Sequence, residues 1–578
     1  MLGSERCGFV VENWPERHHA ICRKARGEAA CASTSALAER ASSHSIFSAP
    51  RATGLPLLAV NLLAVAVTAY AKRHLPSGRA DGPRQGNSRS RRGARTGNDV
   101  LLGCRSTTGR TGTRVAAERL RTLSGRTKRS YYARPGPRRS RMKMAVAGNQ
   151  WAVGQGGFYS GRVTVDGRSV LDWVYDCGSS TAKSHPAREI RDYARSHELT
   201  SNASKQIDAV FISHFDADHF NALSDLAGTV HRVARVILPL VSLEQRLVHL
   251  LSSQTPESPQ DLEDYVRFVV DPGQALADIF GQTTQVISVT PRTDFQTFAP
   301  TPIDTVEPID TIPQEDYEQP LEFGISVEEG PGLALLLALR VDGRWEPLWE
   351  LVAWTPLAKW PSREALLASV VSEYGLTGTD EALRLLSDST WVLGVVRDAA
   401  ARQRLKRAYE AAGSLAPGLS SRTNRTSMLL YSGPVLKSPW LSTWRAHRRS
   451  PRPASLLERC QIDPWPRKVA WLGTGDISLN HPSAVADTRR VLGPKRLGRV
   501  GVLNLPHHGA DPDYPEELLR TGDLRPNVVV AAAGSNNHYD HPGRLSLFEP
   551  PRTGAHLVVV SEERASRWRS DVSLRRSP

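Results

Sequence analysis

Four residues able to bind a metal fall within six positions of this chain: His214, Asp216, Asp218 and His219, in the run Ile212-Ser213-His214-Phe215-Asp216-Ala217-Asp218-His219. They follow a short apolar run that reads as a strand, Ala209–Ser213. A loop at a strand's end can turn alternate side chains toward one point. Imidazoles and carboxylates so gathered suit zinc, manganese or magnesium. The bland alternative is a polar turn with incidental histidines, since Asp and Asn are common in turns. Two distant segments add to the cluster. In Gly473-Thr474-Gly475-Asp476 the carboxylate of Asp476 can project from another strand end toward the first cluster. There it can bridge two cations, and cations about 3.5–4 Å apart can hold a water as hydroxide and stabilise the oxygens of an in-line displacement. Pro506-His507-His508-Gly509 supplies two more imidazoles, one expected as a ligand and the other as a phosphate contact or acid, against the plainer reading of two exposed loop histidines. His541, before Pro542, is either part of this chemistry or a cap on a sheet edge. Ser535 and Asn537 can bond a substrate oxygen or merely build a turn. Cys177 and Cys460 have no partners at CxxC spacing, so neither a disulfide scaffold nor a thiolate metal knuckle is supported, and Cys177 reads as a buried small residue rather than a nucleophile.

The elements that must position these residues form two blocks. Strands are expected at Ala145–Val153, Gly161–Val165, Val170–Tyr175, Ala209–Ser213 and Val233–Leu238. A second series follows at Ser427–Tyr431, Lys468–Leu472, Val500–Leu505, Val528–Ala532 and His556–Val560. Between them helical periodicity marks Leu243–Leu251, Asp261–Val270, Arg363–Tyr374, Glu381–Leu386 and Asp398–Ala412, with a hairpin around Val341-Asp342-Gly343-Arg344. Residues 299–330 carry nine Asp+Glu and no Lys or Arg, which predicts a solvated linker or loop.

The 578 residues carry a formal charge of +15, which would suggest a nucleic-acid binder if it were spread evenly. It is not. Residues 1–141 hold 27 Lys+Arg against 8 Asp+Glu, and the remainder holds 47 against 51, a net of −4. The first quarter, with runs such as Arg138-Arg139-Ser140-Arg141, lacks the apolar periodicity that would offset chain entropy and is expected to be disordered. Its apolar stretch 55–71 is short for a membrane span and too far from Met1 for a signal peptide. Patterned sequence begins abruptly after Met142 and Met144, which points to a start assigned too early. The rival readings are a membrane anchor at 55–71 and a nucleic-acid-binding arm. The expected domain is 142–578, cytoplasmic, with no stable membrane association.

Seven motifs occur in the order of a known superfamily. His214-x-Asp216-x-Asp218-His219 resembles the His-x-His-x-Asp-His signature of the metallo-β-lactamase superfamily, with Asp216 for the second His, as in the hydrolase domain of ComEC-type competence proteins and their stand-alone relatives. Val153-Gly154-Gln155-Gly156, Tyr175-Asp176-Cys177-Gly178, Asn424-Arg425-Thr426-Ser427, Gly473–Asp476, Pro506–Gly509 and Ser535–Pro542 are similar to its other motifs. The resemblance covers roughly 142–230 and 420–560. It implies an α/β fold, the αββα four-layer sandwich, with a large insertion at about 235–420. The implied activity is that of a metal-dependent hydrolase using a metal-bound hydroxide, on phosphodiester bonds of nucleic acid or another substrate. His214, Asp216, Asp218, His219, Asp476, His507 and His508 are the implied ligands of one or two divalent ions, zinc or manganese. Asp218 would also orient the attacking water, and Asp218, His508 and His541 are the expected catalytic residues. Asp216 hardens the site and shifts preference from zinc toward manganese or magnesium.

Two departures stand out. The family's separate third-motif His is absent, Asn424–Ser427 occupying its place, and Asp540 stands where Gly is usual. Other readings are a hydrolase of a small ester, thioester or lactone, and a non-catalytic metal-binding module whose insertion recognises a protein partner. The intact ligand set argues against the second. Arg489, Arg490, Lys495, Arg496 and Arg499 read as a basic rim for a polyanion or as an ordinary solvated helix face.

Overall fold

The computed structural model describes residues 143–576, except 199–205, 253–255, 257, 292–305, 313–320, 331, 342, 358–360, 414–423, 436–443 and 450–467. The expectations for residues 1–141 and for Cys460 lie outside the described residues. Among the described residues no helix is long and apolar enough to cross a membrane.

The protein is a mixed α/β structure whose layering follows from side-chain alternation. Along Arg168–Cys177, Trp173 and Tyr175 join one core cluster, while Val174 and Cys177 join another. Along Leu429–Pro434, Leu430 joins the first cluster and Leu429 and Tyr431 a third. Successive strand residues point to opposite faces, so near-continuous apolar runs are buried on both sides. The cluster holding Trp173, Tyr175, Phe211, Trp349, Leu430, Trp471 and Val530 is shared by two sheets. Tyr159 stacks on Trp471 across that interface with ring centroids 3.9 Å apart, and the Tyr175 hydroxyl donates to the Met428 carbonyl at 2.6 Å. Helices cover the outer faces. Ser184–Glu198, Leu243–Ser252, Pro259–Val270, Arg363–Tyr374 and Ala399–Ala411 pack on the first sheet, and Pro482–Leu497 on the second.

The first sheet runs in the order Trp444–Arg449, Trp568–Arg576, Lys143–Gln150, Phe158–Val165, Arg168–Cys177, Ala209–Phe211, Arg235–Pro239, Gln285–Val289, and its last four strands are parallel. The second runs His556–Val560, Val528–Ala532, Val500–Asn504, Ala470–Gly473, Leu429–Pro434, Arg344–Trp354, Leu333–Val341, Leu321–Glu329, Glu307–Ile312, and its first four are parallel. The carboxyl ends of parallel strands are where α/β sheets build sites.

One expectation differs from what is observed, and two features were not read from the sequence. Residues 299–330 are not all linker, because Glu307–Ile312 and Leu321–Glu329 are strands of the second sheet with Phe323 and Ile325 buried. Acidic composition masked this pattern, since Glu322 pairs with Arg340 at 2.7 Å and Glu307 with Arg235 on neighbouring elements. The stretch 235–420, expected as an insertion, is woven into both sheets. It supplies two strands of the first sheet and four of the second, and its helices complete the first sheet's outer core. Finally, Trp568–Arg576 is a strand paired along Lys143–Gln150, hidden in the sequence by its charged residues.

One ion pair fastens a helix to the second sheet. Arg496, fully buried, donates from Nε and Nη2 to the two carboxylate oxygens of Glu350, each at 2.8 Å. Removing one member leaves an uncompensated buried charge, whereas removing both does not. Arg496→Met should lower unfolding free energy by about 3–5 kcal/mol, and Arg496→Met with Glu350→Leu should recover most of the loss in urea titrations. Equal stability of the single and double variants would show that the pair is not felt as a buried charge.

Candidate metal centre

The centre lies where strand ends of both sheets converge. His214, Asp216, Asp218 and His219 follow Ala209–Phe211, and Asp476 follows Ala470–Gly473. His507 and His508 follow Val500–Asn504, and His541 lies in the loop after Val528–Ala532. Two glycines permit the approach. Gly475 has φ +51°, and a Cβ there would lie 2.5 Å from Ser427 Oγ and 2.7 Å from Ser213 Cβ. A Cβ at Gly178 would lie 2.7 Å from the Asp218 carbonyl oxygen. Asp176, His507, His508 and Asp540 also hold positive φ, a conformation costing about 1–3 kcal/mol in non-glycine residues that concentrates at functional sites. For Asp540 this explains a residue standing where glycine is expected, because Asp tolerates the left-handed region better than most.

Asp476 is the hub. Its Oδ2 lies 3.6 Å from His214 Nε2 and 3.8 Å from His507 Nε2, while its Oδ1 lies 3.4 Å from His219 Nε2 and 4.0 Å from His508 Nε2. Asp216 Oδ2 is 3.5 Å from His214 Nε2, and Asp218 Oδ2 is 3.6 Å from His508 Nε2. The groups able to hold an ion are His214, His219 and Asp476, and Asp218, His219 and His508. At these separations Nε2 of His214 and of His219 has no hydrogen-bond partner. The separations match the distance of about 3.4 Å between two ligand atoms that share a tetrahedral ion with bonds near 2.1 Å.

The imidazoles are pre-set to offer Nε2. His219 Nδ1 donates to Asp176 Oδ2 at 2.9 Å, His507 Nδ1 to Asp513 Oδ2 at 2.7 Å and His508 Nδ1 to the Ala532 carbonyl at 2.8 Å. Ser213 gives its hydroxyl proton to Asp176, so its oxygen accepts from His214 Nδ1 at 2.9 Å. Nε2 of both His214 and His219 is then a buried atom without a hydrogen-bond partner. Such a group costs about 1–3 kcal/mol unless something binds it. Buried lone pairs that face carboxylates and have no hydrogen-bond partner fit a divalent cation.

The electrostatics agree. Burial alone would raise the carboxyl groups of Asp216, Asp218 and Asp476, yet the surrounding imidazoles hold all three below the usual range. Burial would lower His219, but Asp476, Asp176 and Asp218 push it well above an ordinary histidine. His507 is likewise pushed up to about 9 by Asp476 and Asp513 against its burial. The residues gathered here demand positive charge.

Other expected residues have different roles. His541 lies beside His507, ring centroids 5.1 Å apart, and its Nδ1 accepts from Gln155 Nε2 at 3.3 Å. Burial and the neighbouring His508 and His507 lower its pKa to about 3, favouring the neutral ring. Ser535 bonds Glu562, and Asn537 bonds the Gly534 and His541 backbone, so both build the turn. Three of the five basic-rim residues are engaged by carboxylates, Arg489 with Glu517 and Asp523, Arg490 with Asp487 and Arg496 with Glu350. Cys177 is buried, with its thiol pushed up by burial.

Four supporting residues escaped sequence reasoning. Asp176 lay inside a quoted motif without a role. Asp513 follows His507 by six residues with no periodic signal. Ser213 reads as an ordinary strand residue. His249 left the one usable sign, an imidazole among the apolar residues of Leu243–Ser252. No protein-family model matches the chain, and no curated protein matches it.

Ion binding to the folded state alone stabilises it by mass action, about 2.7 kcal/mol at a hundredfold excess over Kd. Metal-free protein should therefore melt at a lower temperature than protein supplied with Mn²⁺ or Zn²⁺. Identical melting curves in a verified metal-free sample and a loaded one would remove the assignment.

Proposed function

We propose that this protein is a metal-dependent hydrolase of phosphodiester bonds, built on the four-layer sandwich of the metallo-β-lactamase superfamily. Two sheets with a common core and helices on their outer faces support the fold reading. The observation that carries the function is the division of Asp476, each oxygen of which faces a different pair of imidazoles. One carboxylate so divided suits two ion positions side by side, the arrangement used for in-line displacement at phosphorus. His214, Asp216 and Asp476 would hold one ion, and Asp218, His219, His508 and Asp476 the other. Bound there, divalent ions supply Lewis-acid polarisation of a phosphoryl oxygen and acidify water.

The chain's own residues supply the rest. Asp218, more open than Asp476 with 18% of its side chain exposed, is placed to orient the attacking water and accept its proton. His507, 30% exposed and anchored through Nδ1 to Asp513, can offer Nε2 to a substrate oxygen at the rim. His541 lines the wall beside His507. Because Arg489, Arg490 and Arg496 are engaged by carboxylates, the reading is of a phosphodiester gripped at the site itself. It is not of a polyanion held along its backbone, which would need unpaired Lys and Arg.

The test uses the full chain with Mn²⁺ or Zn²⁺ on bis(p-nitrophenyl) phosphate and on p-nitrophenyl acetate. The diester should be hydrolysed, and Asp476→Asn should cut turnover roughly 10²–10³-fold with loss of bound metal. Cys177→Ser should leave turnover unchanged. Cleavage of the acetate alone would replace the phosphodiester reading with the simple-ester one. Full turnover and full metal in Asp476→Asn would refute the bridging role.

A further inference from the structure

The geometry points to His249 as the positioning residue that turns Asp216 toward the metal centre, making the helix Leu243–Ser252 a working part of that centre. This rests on the metal-binding reading above. Ser242 and Gln245 fix the start of the helix by reciprocal bonds, Ser242 N to Gln245 Oε1 at 3.1 Å and Gln245 N to Ser242 Oγ at 3.4 Å. The phase so set buries Leu247, Val248, Leu250 and Leu251 against the first sheet and carries His249 inward with them, fully buried. A core position filled by imidazole rather than leucine needs partners for both nitrogens. His249 finds them in Asp216 Oδ1, 2.8 Å from Nδ1, and Thr426 Oγ1, 3.3 Å from Nε2.

The direction of these bonds matters. A carboxylate only accepts, so Nδ1 carries the proton, and Nε2 then accepts from the Thr426 hydroxyl. Asp216 precedes the short turn Ala217–His219 but makes no side-chain capping bond to it, so that turn does not orient the carboxylate. His249 does: with Oδ1 held, Oδ2 faces His214 Nε2 at 3.5 Å. Asp216 is shorter than the imidazole that the resembling signature carries at its position, and an imidazole there would reach the ion unaided. A donor behind it compensates for that short reach, as hydrogen-bond partners of metal ligands generally do. Thr426 ties the same imidazole to the segment that enters Leu429–Pro434, so one histidine couples helix, first-sheet loop and second-sheet loop.

The proposal is tested by metal affinity of the full chain, read by competition with a chelating dye for Mn²⁺ and Zn²⁺. His249→Leu should weaken affinity about 10–100-fold. In His249→Asn the amide nitrogen stands near the place of Nδ1 and should restore most of it. In His249→Gln the amide reaches the place of Nε2 instead and should restore little. In an Asp216→Asn background, His249→Leu should cost less than about twofold, because the two act through one bond. Should the leucine variant not fold, the contrast between Asn and Gln decides. Wild-type affinity in His249→Leu, or equal affinity in the Asn and Gln variants, would overturn the assignment. A wild-type protein that binds neither ion would instead overturn the metal reading itself.

Discussion

Everything in this fold bends to the concentration of negative charge around Asp476. Asp176, Asp216, Asp218, Asp476 and Asp513 lie at one end of the two sheets, Asp176, Asp476 and Asp513 buried and Asp216 and Asp218 partly exposed, with the imidazoles of His214, His219, His249, His507 and His508 among them. Isolated charges cannot be buried at that density. The chain answers in two ways. Asp176 and Asp513 are satisfied by histidine Nδ1 protons, which also fixes which nitrogen each ring presents. Asp216, Asp218 and Asp476 face Nε2 atoms across gaps an ion would fill. The strained backbone at Asp176, His507 and His508, and the glycines at 178 and 475, follow from forcing these groups together.

Much of this was legible in the chain because short motifs sit at strand ends, and strands announce themselves by apolar runs. Ala209–Phe211, Val528–Ala532 and His556–Val560 fall within or at the expected bounds, and the helix Arg363–Tyr374 matches the expected one. His214 to His219, Asp476 and the His507-His508 pair are indeed brought together. The hairpin near residue 343 forms, with Val341 opposite Arg344 and Gly343 at φ +79°. Tertiary pairing was less visible. Glu322 and Glu307 look like linker residues until Arg340 and Arg235 stand opposite them. Arg496 looks like rim until Glu350, 146 positions earlier, claims it. His249 and Asp513 act through bonds that no local spacing encodes.

The way the first sheet closes bears on how such a chain can be made. Trp568–Arg576, the last described strand, lies between Trp444–Arg449 and Lys143–Gln150, the first described strand. During synthesis Lys143–Gln150 and its neighbour Phe158–Val165 are both complete long before Trp568–Arg576. The other edge of Lys143–Gln150 has no neighbour until hundreds of residues more have been translated. An exposed edge is a template for unwanted strand pairing, and long-range closures of this kind are slow. Until Trp568–Arg576 is made, that edge of Lys143–Gln150 stays open to unwanted pairing, and the interval between the first and last described strands is the one in which a chaperone would matter most.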